Sequence, residues 1–303
     1  MRKIINIKLR TIFQFIIISS ILFVMAGFGI YRYSVNKSLQ EEERSLKVDF
    51  LLKEKFSPFE HPGKNPAVLL IHGFGGSPHD VKPLTQELVK NNIAVYAILL
   101  SGHGTSPKDL LKVNEDDWFK EVLNAYDYLH EKYGKVNVVG FSVGGALALK
   151  LAVKRPVEKL ALISPYFKIK SHYYCFGSLE WWARKINKVL PFVRKFKIGQ
   201  INNSSGLSKY VAYKHLPLKS IEILKRLGEK SFAIAPLVKS PVLVLHSQGD
   251  AVADFDKSYQ AFQQMILTDK KFIKYKRSNH VILYDYDAKD ALEQLMNFFL
   301  KKV

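Results

Sequence analysis

The sequence predicts an α/β fold: a doubly wound, mostly parallel central sheet flanked by helices, with a helical insertion and an N-terminal transmembrane helix. Three observations predict it. From Phe56 onward, short apolar runs alternate with amphipathic stretches; the rhythm breaks once, over residues 166–239; and Ile12 to Tyr31 are twenty residues without a charge. At 303 residues, 48% hydrophobic and 13% aromatic, the chain has the material for a substantial core, which excludes disorder of the whole. Its single cysteine, Cys175, excludes an intramolecular disulfide and any multi-cysteine metal site.

Taken in order, residues 1–11 carry Arg2, Lys3, Lys8 and Arg10 and read as a basic cytoplasmic segment. Residues 12–31 follow, and as a helix they would span about 30 Å, the hydrocarbon thickness of a bilayer. Two fates fit such a segment. An uncleaved signal anchor suits the apolar run that continues through Phe28, Ile30 and Tyr31; a cleaved signal peptide, which would release a secreted protein, suits Val24-Met25-Ala26. The basic residues before the span outweigh Arg32 and Lys37 after it, so the N-terminus is expected in the cytoplasm and everything after residue 31 outside. Residues 32–55, with Glu41, Glu42 and Glu43, read as a polar tether.

Residues 56–165 and 240–303 form the expected core. Its apolar runs are AVLLIHG (67–73), VYAILL (95–100), VNVVGFS (136–142), LALISP (160–165), PVLVLHS (241–247) and FIKYKRS (272–278). Near-continuous Val, Ile and Leu suit strands covered on both faces, as in a parallel sheet. The stretches between are helical in pattern; in one, Trp118, Val122, Tyr126 and Leu129 recur on a single face.

Residues 166–239 lack a comparable run and are rich in aromatics: Tyr166, Phe167, Tyr173, Tyr174, Phe176, Trp181, Trp182, Phe192 and Phe196. This interval is too long for a plain connection and predicts an inserted helical lid. It holds 15 Lys and Arg against 3 Glu, twelve of the chain's net +19. A solvated basic face and a surface resting on anionic lipid both fit that charge. No nucleic-acid recognition motif accompanies it, so nucleic acid is not the expected partner.

Chemistry gathers at strand ends. In VNVVGFSVGG, Ser142 stands between glycines where a strand passes into a helix. That pattern fits a nucleophile held on a sharp elbow, but also an ordinary tight connection. A serine nucleophile needs a base and an orienting acid. Among nine histidines, His280 in KRSNHVILYD falls in the loop after the last strand, and Asp250 in HSQGDAVAD falls just past the preceding one. The order Ser142, Asp250, His280 is that of the α/β-hydrolases. Asp254 and Asp256 are rival acids, placed where a helix N-terminus would use them. By the same pattern, the oxyanion donors are the backbone N–H groups of Phe74, in LLIHGFGGSP, and Val143. His72 and His103 read as structural loop residues, while His61, His79, His130, His172 and His215 default to solvated surface.

VLLIHGFGGSPHDVKPL, LLSGHGTSPKDL, DDWFKEVLNAYDYL, VVGFSVGGALALKLA and RSNHVILYDYDAKDAL together resemble bacterial carboxylesterases of the monoacylglycerol-lipase branch of the α/β-hydrolases, over about residues 56–303. The resemblance implies a triad of Ser142, Asp250 and His280, no metal or cofactor, hydrolysis of acyl esters or monoglycerides, and a lid matching 166–239. One departure is His246-Ser247, where the family often has His-Gly. Thioesterase, peptidase and acyltransferase chemistry use the same triad, and a non-catalytic binding protein could share the fold.

Overall fold

In a computed structural model of the protein, the described residues are 2–170, 179–195 and 200–300. They divide into two compact units, Met1–Glu41 and Glu42–Val303. The first is helical: α1 (Arg2–Val48) begins there, and Ile17–Val48 is long and apolar enough, by length and composition, to cross a membrane. Leu22, Phe23, Met25 and Ile30 on it stand exposed. The stretch expected as a tether is helical too, since α1 runs on to Val48 and α2 (Phe50–Lys55) follows, N-capped by Asp49. Residues 32–55 contain neither Gly nor Pro and are rich in Glu, Lys and Leu, which favours helix over coil.

In the second unit, the six apolar runs become six strands: β2 (Lys64–Ile71), β3 (Ile93–Ile98), β4 (Val136–Phe141), β5 (Leu160–Ile163), β8 (Val242–Ser247) and β9 (Lys270–Tyr275). They pair in parallel. A seventh strand, β1 (Phe59–His61), joins antiparallel to β3 at one edge, giving the order β1-β3-β2-β4-β5-β8-β9. Its three residues, mostly exposed, carry no apolar run by which to find it.

Side chains alternate across the sheet with period two. Leu69, Ile71, Val138, Leu162 and Val244 face one core, shared with α4 (Glu115–Tyr133), α5 (Val143–Lys154) and α9 (Phe255–Gln264). Val68, Leu70, Val139, Ile163 and Leu245 face the other, shared with α3 (Lys82–Lys90) and α10 (Ala288–Leu300). The predicted face of α4 is fully engaged: Trp118, Val122, Tyr126 and Leu129 are all buried. From β2 the chain crosses to β3 on one side, then returns to β4 on the other, so β2 and β4 diverge at a topological switch point. A crevice at their carboxyl ends follows.

The segment between β5 and β8 departs from an all-helical expectation. It holds α6 (Leu179–Ile186), α7 (Ser204–Lys209) and α8 (Ser220–Ala233), but also a two-stranded antiparallel ladder of β6 (Phe192–Arg194) and β7 (His215–Pro217). Three-residue strands with mixed polarity leave no period to read. Tyr166, Phe167 and Phe192 are buried and Trp181 is half exposed, whereas Tyr173, Tyr174, Cys175, Phe176, Phe196 and the side chain of Trp182 lie outside the described residues.

Helix α8 is pinned to the core. Ser231 Oγ donates to the Ala146 carbonyl at 3.0 Å, and Arg226 forms a two-bond fork to Glu115, both bonds 3.0 Å, with Lys230 Nζ 3.4 Å away. The Arg226 fork holds the Glu115 carboxyl at about 2, below its usual 4.5, against the opposing effect of burial. A depressed carboxylate contributes stability above its unfolded pKa and loses it as pH falls toward its folded value. Glu115→Gln should therefore lower Tm by a few degrees at pH 7, with the gap closing between about pH 4.5 and 2. Thermal melts across that range test this; a gap indifferent to pH would remove the ion pair as its cause.

Candidate active site

Ser142 sits between β4 and α5 with φ 55° and ψ −117°, a left-handed conformation that L-residues adopt at a cost. Two glycines make this turn possible. A Cβ on Gly140 would stand 2.2 Å from the Gly144 carbonyl oxygen, and one on Gly144 would stand 2.3 Å from that of Ile71. The first turn of α5 is thereby laid against the ends of β2 and β4. Backbone bonds then hold the serine: its N–H donates to Ile163 at 2.9 Å, and its carbonyl accepts from Tyr166 at 3.0 Å.

Its hydroxyl donates to His280 Nε2 at 2.9 Å, and His280 Nδ1–H donates to Asp250 Oδ2 at 2.8 Å. All three side chains are buried. Asp250 Oδ1 accepts from the N–H groups of Val252 and Ala253, at 2.7 and 2.8 Å, which fixes the carboxylate's orientation. Burial pushes the Asp250 carboxyl up, but the charge and hydrogen bond of His280, with His246 close by, outweigh it and hold the group well below the usual range. His280 is itself held at three points: its N–H donates to Asn279 Oδ1 at 2.9 Å, its carbonyl accepts from Ser164 Oγ at 2.7 Å, and its ring tilts against Phe141 at 5.1 Å.

The rival acids do other work: Asp254 caps α9 by accepting from Lys257 N–H at 2.9 Å, and Asp256 lies in that helix's first turn. His246, by contrast, was not picked out by sequence reasoning as part of the site. Its Nε2 lies 3.1 Å from Asp250 Oδ2, and the ring is fully buried against Phe255. Its sequence signal is a histidine at the end of β8, four residues before the acid and at the His of the family's frequent His-Gly pair.

The loop after β2 is tied down on both sides of Phe74. Gly73 N–H donates to Asp80 Oδ2 at 2.9 Å, and Gly75 N–H donates to His103 Nε2 at 3.0 Å. A Cβ on Gly73 would lie 3.2 Å from Ser142 Cβ, so this loop rests directly on the serine. The Phe74 and Val143 N–H groups thus belong to the two backbone segments that flank it, the second at the open start of α5. His72 bridges the loop to its neighbour, with Nδ1–H on the Gly73 carbonyl at 2.8 Å and Nε2 accepting from Leu100 N–H at 3.0 Å. Burial and the nearby His103 keep His72 neutral, burial takes His103 down to about 4, and burial raises Asp80 to about 6.

His79 and His215, expected on solvated surface, are buried instead: His79 stacks on Tyr284 at 5.4 Å, and His215 is wholly enclosed. Both belong to segments whose polar sequence context hides the packing. His172 lies outside the described residues. Among the described residues, no group of three His, Cys, Asp or Glu is arranged to hold a metal ion.

Residues 63–287 match the family described as serine aminopeptidase, S33. The chain is 26% identical to the carboxylesterase of Bacillus subtilis (strain 168), covering 81% of this chain and 96% of that protein. It is 28% identical to the thermostable monoacylglycerol lipase of Bacillus sp. (strain H-257), covering 80% and 94%. Among solved structures, a metagenome-derived lipolytic enzyme superposes with a TM-score of 0.72 at 23% identity, over 82% of this chain and 98% of that one. Through this match the chain belongs to the serine aminopeptidase S33 family and carries the α/β-hydrolase fold.

Proposed function

We propose that the protein is a serine carboxylesterase acting on acyl esters, with monoacylglycerols and similar lipid-like esters as its substrate class. The observation that carries this reading is the continuous hydrogen-bonded chain from Ser142 Oγ through His280 to Asp250. A serine hydroxyl near its free pKa is a poor nucleophile; His280 Nε2 stands where it can take the proton as Oγ attacks the ester carbonyl. Asp250 fixes the tautomer of His280 and stabilises the imidazolium that forms. The oxyanion of the tetrahedral intermediate is received by the N–H groups of Phe74 and Val143. His280 then protonates the departing alcohol, leaving an acyl-serine. Water, deprotonated by His280, attacks that acyl group, and the proton returns to Ser142 as the acid leaves.

The carboxylesterase and monoacylglycerol lipase relatives support the ester as substrate over the amide in the family's name. In this reading the segment between β5 and β8 is a lid, and its excess of Lys and Arg faces anionic lipid. The N-terminal helix anchors the catalytic unit on the outer side of the bacterial inner membrane, with Arg2, Lys3, Lys8 and Arg10 inside. Cleavage of that segment would release the same enzyme as a secreted protein.

Ser142→Ala should lower turnover of p-nitrophenyl butyrate by roughly 10⁴–10⁶-fold with an unchanged melting curve. Retained activity would sink the assignment. Asp250→Asn should cost about 10⁴-fold in kcat by stabilising the wrong tautomer of His280. A fluorophosphonate probe should label Ser142, and no labelling would favour a binding protein on this fold. A panel of esters, monoglycerides, thioesters and aminoacyl amides should rank the oxygen esters first; a faster thioester or amide would move the reading to those chemistries. For the lid, residues 36–303 alone should bind vesicles more tightly as anionic lipid increases and release them in salt. Binding indifferent to lipid charge would dismiss the lipid-facing surface.

A further inference from the structure

Near its end α1 carries three adjacent acids, Glu41, Glu42 and Glu43, outside the residues 63–287 that match the family, and the last two grip the folded unit. Glu42 is 6% exposed and grips the segment that enters β7. Its Oε1 accepts from Lys214 N–H at 2.5 Å, and its Oε2 lies 2.6 Å from Nδ1 of the fully buried His215. Glu43 grips a different loop: Oε1 accepts from Ser106 Oγ, and Oε2 pairs with Lys108 Nζ at 2.8 Å.

Both gripped segments end on the same residue. Tyr213, next to Lys214, donates its N–H to the Gly75 carbonyl at 2.7 Å. His103, in the loop leading to Ser106, accepts the Gly75 N–H at 3.0 Å. The segments are also tied to each other, since Tyr213 OH accepts from Thr105 N–H at 3.0 Å and donates to the Gly102 carbonyl at 3.1 Å. Gly75 has φ 68°, and a Cβ there would stand 2.7 Å from Leu216 Cδ2, so β7 lies directly on it. Its neighbour in the chain is Phe74, whose N–H is the oxyanion donor of the proposed reaction.

We infer that Glu42 is a positioning residue for the oxyanion loop. By seating Lys214 and His215 it holds Tyr213 and Leu216 against Gly75, and so fixes the Phe74 N–H relative to Ser142. Glu43 secures the opposite side of Gly75 through the 101–106 loop. The end of α1 is then part of the catalytic apparatus as well as a link to the apolar helix. The physical reason is the cost of leaving a buried polar group unmatched: without the Glu42 carboxylate, Lys214 N–H and His215 Nδ1–H lose their acceptor inside the protein, and the segment must shift to find water. This inference rests on the esterase reading of the Ser142 site.

The test uses the full-length chain in detergent micelles. Glu42→Ala should lower kcat for p-nitrophenyl butyrate by about tenfold or more, part of the roughly 10²–10³-fold that loss of an oxyanion donor costs. KM should stay within about twofold, because ground-state contacts are untouched. Affinity for a trifluoromethyl ketone, which forms a tetrahedral oxyanion on the serine, should fall in proportion to kcat/KM. Glu42→Gln, which keeps an acceptor for Lys214 N–H, should recover part of the loss. Glu54→Ala, an exposed acid on α2, should match the wild type.

Wild-type kcat in Glu42→Ala, or a loss confined to KM or to the folded fraction, would overturn the inference. If Glu42→Ala does not fold, Glu42→Gln decides: reduced kcat at unchanged KM upholds the role, and wild-type kcat removes it. A wild-type chain that neither hydrolyses the ester nor takes a fluorophosphonate on Ser142 would instead overturn the esterase reading. The two failures are therefore distinguishable.

Discussion

The approach of α5 to the ends of β2 and β4 is the contact on which the site depends. With Gly140 and Gly144 the backbones meet at distances that any Cβ would forbid, and Ser142 is turned to φ 55° at the apex. The cost of that conformation is met by the flanking sheet and by the bonds from Ser142 N–H to Ile163 and from Tyr166 N–H to Ser142. Once the serine is fixed there, His280 and Asp250 need only arrive from the ends of the neighbouring strands. The sheet order carries them in, because β8 and β9 follow β5 across the sheet from β4.

Around this contact, buried histidines serve as fixed two-ended connectors. His72 and His103 each donate from one nitrogen and accept at the other, which a protonated ring could not do. Burial depresses both, so the neutral form that bridges two loops is the form present. His280 uses the same two-ended geometry, but its acceptor end meets a hydroxyl rather than a backbone amide. What sets His280 apart from the two connecting imidazoles is the group that stands at its acceptor nitrogen.

The insertion between β5 and β8 is bonded into the unit it interrupts. Arg226 and Lys230 reach Glu115 on α4, Ser231 reaches α5, and Tyr213 reaches the loop beside Ser142. Its inner side is thus part of the site's support, which gives a physical route by which contacts far from Ser142 act on it. The acidic end of α1 enters by that route.

Read by itself, the sequence determined the alternation of strands and helices, the parallel sheet, the membrane-length helix and the positions of Ser142, Asp250 and His280. These are legible because burial on both faces demands continuous Val, Ile and Leu, and because a sharp elbow demands glycine at fixed offsets. Four things were decided only by the tertiary structure: the edge strand β1, the β6–β7 ladder, His246 beside the Asp250 carboxylate, and the contact of Glu42, near the end of α1, with His215. The two strand pairings and the Glu42–His215 contact join residues distant in sequence, 173 apart for the last, where no local period or propensity can signal them. A buried polar residue is recognised by what faces it, and only the folded chain supplies that.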